Sequence, residues 1–142
     1  MWIGDSRDAL DADLVGNGIS VVLNCAADLN VERWNFVSGV EYVQIGLIDG
    51  PGNTMAEYHA TTLKLCGIIK SGRGVLIHGH DAGAITTAVA IMALHALYRR
   101  GWDYWLNVIR ELLETPDMSP HPEHRRAFNR INWRLVSAVM ED

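Results

Sequence analysis

A chain of 142 residues has room for one ordinary domain with a real core. Hydrophobic residues make up 49% and charged residues 20%, which excludes a disordered segment. The net charge of -5, from 12 basic against 17 acidic residues, offers no clustered basic face for a nucleic-acid backbone, so no nucleic-acid partner is expected.

In chain order, "MWIGDS" reads as a short first strand, and Ser6 as the cap of a helix over "RDALDADLV" that ends at Gly16–Gly18. The opening residues contain neither a basic segment nor an apolar one, so no secretion signal is expected. "ISVVLNCA" is a β-branched run of the kind found in strands covered on both faces, and "VEYVQIGLI" reads as a second such strand. The second runs into "DGPGNT", whose Gly and Pro content predicts a loop. "MAEYHATTLKLCGIIKSGRG" has Tyr58, Leu65, Ile68 and Ile69 near helical spacing and closes on glycines.

"VLIH" is a third buried strand. The helix after it, "AITTAVAIMALHALYRR", is apolar nearly all round and therefore central, with Gly101 expected to terminate it. "DYWLNVIRELLE" puts Trp105, Leu106, Ile109, Leu112 and Leu113 on one stripe. "PHPEHRRAFNRINWRLVSAVM" repeats Phe128, Ile131, Leu135 and Val139 as one closing helix after Pro120 and Pro122. Strands alternating with helices, then a run of helices, give an α/β class: a central, mostly parallel sheet flanked by helices, in one domain over 1–142. No apolar run is long enough to span a bilayer, so no membrane partner and a cytoplasmic location are expected. Cys25 and Cys66 lie in apolar surroundings and read as inert thiols.

The functional signal is "HGHDAGAIT", His78 to Thr86, where a strand feeds a helix through small residues. Such a turn aims backbone N–H groups and the positive end of the helix dipole at one point, where an oxyanion can bind. No Gly-Lys-[Ser/Thr] follows, and the G-x-G-x-x-G spacing is absent, so it is neither a Walker loop nor a dinucleotide fingerprint.

Strand, His, short loop, [Ser/Thr] and buried helix resemble the cysteine-dependent protein tyrosine phosphatases, specifically the small dual-specificity phosphatases with the signature H-C-x-x-G-x-x-R-[ST]. The likeness runs along nearly the whole chain: "WIGDSRDAL" resembles the family's opening strand and helix, "VVLNCA" its second strand, "VEYVQIGLIDGPGN" its general-acid segment and "PHPEHRRAFNRI" its closing helix. The resemblance implies the phosphotyrosine protein phosphatase fold, with a phosphate-binding loop over His78, Gly79, His80, Asp81, Ala82, Gly83, Ala84, Ile85 and Thr86. It implies Asp49 as the general acid; an Asp before Gly-Pro-Gly also simply forms a turn.

Laid on without gaps, His78 and Thr86 match, while the nucleophile Cys is replaced by Gly79, the Arg by Ile85 and the signature Gly by Ala82. One inserted residue near Asp81 restores Gly83 and Thr87 instead, and then Thr86 stands at the Arg position. Either way the thiolate that attacks phosphorus and the guanidinium that clamps its oxygens are gone. Asp81 beside the cradle repels a phosphate dianion by about 1 kcal/mol at ~4 Å in water, which protonated His80 can offset.

The expectation is a catalytically inactive, phosphatase-like domain whose partner is a phosphorylated protein or a phosphate or sulfate anion. The alternative is a phosphoric-monoester hydrolase using non-standard or metal-assisted groups near His80, Asp81 and Asp49. His78-x-His80 with Asp81 lacks the metallo-hydrolase spacing, and His121 and His124 share a helix face without a third ligand, so no metal and no cofactor are expected.

Overall fold

In the computed structural model, which describes every residue except Gly46, Asp81, Ala82 and Asp142, four short strands form one sheet. They are β1 (Trp2–Gly4), β2 (Ile19–Asn24), β3 (Glu41–Gln44) and β4 (Gly74–His78), in the order β1-β4-β2-β3 with every pair parallel. The helices are α1 (Met55–Lys70), α2 (Ala84–Tyr98), α3 (Trp102–Leu113), α4 (Pro122–Arg130) and α5 (Trp133–Glu141).

Alternation along the strands splits the interior in two. Val21 and Leu23 of β2 and Val75 and Ile77 of β4 enter the larger core, to which all five helices contribute. Val22 and Leu76 point the other way into a smaller core with Ala9, Leu14 and Ile19, closed by Trp34, Val37, Val40 and Tyr42. That second face is therefore covered by irregular chain. The Tyr42 hydroxyl fastens the cover, donating to Ala9 O at 2.8 Å and accepting from Val37 N at 3.0 Å.

The central helix is α2, as its all-round apolarity predicts: its residues from Ile85 through Ala93 are buried without a break. No helix among the described residues is long and apolar enough to cross a membrane.

Several local expectations are corrected. The helix predicted over "RDALDADLV" is a single 3-10 turn, Asp8–Leu10. Asp5, rather than Ser6, organises it, its carboxylate accepting from the backbone N–H of Arg7 and Asp8. β3 is a half-exposed edge strand of four residues, because β2 covers only one of its sides.

α2 ends on Arg99 in the left-handed conformation (φ 54°), and Gly101 instead opens α3. On α3, Trp102 is buried in place of Leu112, which is 74% exposed. The predicted closing helix breaks in two at Ile131, whose ψ of 134° is extended. After the break, Val136 is the buried residue, and Leu135 and Val139 face out.

Candidate functional site

Because all strands are parallel, the segments that follow β2, β3 and β4 leave the same edge of the sheet. That carboxyl edge is where open α/β sheets gather their ligand-binding groups. It brings together Asn24 at the end of β2 and Asp28 beyond it, Asp49 beyond β3, and His78 at the end of β4 with Gly79, His80 and Gly83 beyond it.

The β4 segment is fixed from below. His78 is 1% exposed, stacks on Trp34 with ring centroids 5.6 Å apart, and its Nδ1 lies 2.9 Å from the Gly79 carbonyl. The carbonyl can only accept, so Nδ1 carries the hydrogen. Burial holds the His78 pKa below the ordinary imidazole value, against the opposing pull of the Gly79 carbonyl. The His78 carbonyl accepts from Cys25 N at 2.7 Å, joining the ends of β2 and β4.

Gly79 is buried, and His80 is exposed, its Nε2 3.2 Å from Asp28 Oδ1. Asp81 and Ala82, both placed in the loop from sequence, lie outside the described residues. Gly83 caps α2 without any side-chain hydrogen bond, and no acidic residue occupies the helix's first turn. The positive end of α2 is therefore not neutralised by its own residues, unlike α1, α3 and α4, which carry Glu57, Asp103 and Glu123 there.

After Gly83 and Ala84, Ile85 is 6% exposed and belongs to the larger core. Thr86 and Thr87 are fully buried, and neither Oγ1 has a partner among the described residues. The same is true of Asn24 Nδ2, whose residue is in register with His78 across the sheet. Buried polar atoms are nearly always paired, and these are three solvent-inaccessible polar atoms at one strand–helix junction without a partner among the described residues.

Asp49 is held by a device the sequence does not announce. Its Oδ1 lies 2.9 Å from His124 Nε2, and His124 Nδ1 lies 2.8 Å from the Tyr58 hydroxyl. A carboxylate only accepts, so Nε2 carries the hydrogen; Nδ1 of the neutral ring then accepts from the phenol. Asn53 Nδ2 donates to Tyr58 Oη at 3.3 Å and to Ile48 O at 2.7 Å, and Asn53 Oδ1 accepts from Ile48 N at 2.9 Å.

The chain of bonds thus returns to the residue before Asp49, closing a polar staple between the 48–53 loop, α1 and α4. His124 is fully buried while the Asp49 carboxylate remains 49% exposed. Burial lowers the His124 pKa even though Asp49 pulls it up, and burial raises that of Tyr58.

The remaining candidate groups are structural. His121 accepts from Glu123 N at 3.1 Å as the cap of α4. His95 accepts from Gly101 N at 3.1 Å between the rings of Phe128 and Trp133. Cys25 and Cys66 are buried, with burial pushing both thiols up, Cys66 to about 11, so neither supplies a thiolate. Among the described residues no group of three or more His, Cys, Asp or Glu could hold a metal ion.

These features define an α/β domain with a strand–loop–helix cradle at the carboxyl edge of a parallel sheet, and the chain has the dual-specificity phosphatase fold. It is similar over 98% of its length to the crystal structure of DUSP15, covering 88% of that chain at 17% identity with a TM-score of 0.80. A mouse dual specificity phosphatase crystallised with zinc tungstate gives 0.75 at 17% identity, over 97% of this chain and 85% of that one. The human tyrosine phosphatase-like serine/threonine/tyrosine-interacting protein gives 0.59 at 17% identity, over 77% and 76%. No protein-family model and no curated protein sequence matches the chain.

Proposed function

We propose that this chain is a catalytically inactive phosphatase-like domain, a binder of phosphate or of a phosphorylated protein. The observation that carries the reading is the coexistence of a complete phosphatase-like frame with Gly79 and Ile85 at the two positions where the chemistry requires Cys and Arg. Glycine has no side chain to attack phosphorus, and the Ile85 side chain is packed in the core. Neither residue can form the covalent phosphoenzyme or stabilise its transition state.

What survives suits binding. The N-terminus of α2, with no side-chain cap and no acidic residue in its first turn, offers backbone donors to an oxyanion. The tungstate of the mouse structure is an oxyanion of the tetrahedral class expected in this cradle.

The test is a pair of measurements on the purified chain. Aryl-phosphate hydrolysis is expected to stay at the level of the buffer blank, while calorimetry with phosphate, sulfate and a phosphopeptide gives saturable heat. If the ungapped alignment holds and the loop lets position 85 turn out of the core, the double variant Gly79→Cys with Ile85→Arg is expected to gain turnover. A folded double variant that stays inert favours the alignment in which Thr86 stands at the Arg position.

A second reading, a hydrolase working through Asp49 with His80 and Asp81, has one observation in its favour: the imidazole of His124 behind a half-exposed carboxylate. Turnover by the unaltered chain that disappears in Asp49→Asn would establish it and end the first reading.

A further inference from the structure

We propose that the cleft between the 50–53 loop and α4 is a second small-anion site, separate from the cradle after β4, for a phosphate or carboxylate group. The cleft has a volume of about 100 Å³ and no residue of the cradle lines it. That space holds several water-sized groups, which is room for one tetrahedral oxyanion or one carboxylate.

Arg126 and Arg130 both line it. They are four residues apart on α4, so their side chains rise from one face of the helix. Arg130 makes no hydrogen bond or ion pair among the described residues. Arg126 is paired with Glu123, which also lines the cleft. A guanidinium has five N–H donors, so Arg126 keeps donors to spare beyond that pair.

Two guanidinium groups against one carboxylate leave the lining at net +1 in a chain of net charge -5, so the preference for an anion is local to this cleft. Two further carboxylates act on the Tyr58 wall: Asp49, with one oxygen occupied by His124, and Glu57, with one oxygen accepting from Thr54 N. The opposite wall is rigid and polar: Tyr58 is fixed by its bonds to His124 and Asn53, and Asn53 by its bonds to the Ile48 backbone. A wall already satisfied by its own hydrogen bonds needs no rearrangement when an anion docks on the arginines, which keeps the ordering cost small.

The site does not depend on the cradle binding anything. The experiment is an NMR titration of the full chain, following backbone amides and arginine Nε, with inorganic phosphate and separately with acetate at constant ionic strength. The proteins compared are the unaltered chain, Arg130→Lys, and the double variant Arg126→Ala with Arg130→Ala; both side chains are exposed, so folding is preserved.

Saturable shifts are expected at Gly52, Asn53 and Arg130 Nε. The double variant should weaken them about tenfold and Arg130→Lys less, with any response over Gly79 to Thr87 unchanged. Tighter binding of phosphate assigns the site to phosphoryl groups, and tighter binding of acetate assigns it to carboxylates. Shifts that never saturate, that survive the double variant, or that are confined to the cradle overturn the proposal. Loss of the cradle response alone overturns anion binding there and leaves this site standing.

Discussion

His124 has no water around it, so each ring nitrogen depends on a partner inside the protein. Removing the ring unpairs the Tyr58 hydroxyl, frees the Asp49 loop from α4 and leaves a cavity. His124→Ala is therefore expected to cost about 3 kcal/mol. Tyr58→Phe keeps the packing but leaves Nδ1 without its donor, for about 1–2 kcal/mol. Asp49→Asn retains a side-chain oxygen that can accept from Nε2 and is expected to cost under about 1 kcal/mol. Urea unfolding of the three variants checks the order; equal losses for Asp49→Asn and His124→Ala would mean that the loop, rather than the imidazole, supports this corner. The same geometry bears on chemistry: an Asp49 oxygen engaged by a buried imidazole is a fastening as much as an acid.

At the scale of elements, what could be read in advance depended on how local its cause was. α2 was legible because a fifteen-residue stretch in which only Thr86, Thr87 and His95 interrupt small and apolar side chains has only the core to go to. The strand and helix that flank the expected phosphate loop were legible because the end of β4 at His78 and the start of α2 at Ala84 lie within one short stretch. The polar staple was not, since Tyr58 and His124 lie 66 residues apart and no spacing rule connects them.

The closing helix was misjudged for a different reason. Ile131, Leu135 and Val139 keep helical spacing across a break made by Asn132, whose side chain accepts from Leu135 N at 3.1 Å and starts a new helix. An Asn inside a periodic run is a signal of such a cap, and it outweighed the hydrophobic stripe. The cap supports a helix with only one buried residue, Val136, so α5 leans on it. Asn132→Ala is expected to lose about 1 kcal/mol and to speed amide exchange over residues 133–141 ahead of the other helices. Uniform acceleration in all five helices would show that the break is not held by this side chain.

For the molecule as a whole, three imidazoles tie folding to pH. His78, His95 and His124 each have a pKa below the ordinary 6.5, and burial is the largest cause in every case. Arg99 adds to the depression at His95, whereas Asp49 works against it at His124 and the Gly79 carbonyl against it at His78. Below 6.5 the unfolded chain takes up protons that the folded one refuses, so the unfolded state binds more protons and stability rises with pH across that window. The contribution is fully present above the unfolded value and is lost as pH falls from about 6.5 toward the folded values. The lowered carboxylates of Asp5, Glu41 and Glu57 have the same sign but act below their ordinary values of 3.8 and 4.5, so the two windows are separate. Urea midpoints are therefore expected to fall between about pH 7.5 and pH 5.5, before any carboxylate contributes, with net proton uptake on unfolding. A midpoint that is flat or rises over this interval would mean that the three rings already accept protons in the folded state. In that case the buried pairings Tyr58–His124 and His78–Gly79 would not have the tautomers assigned to them.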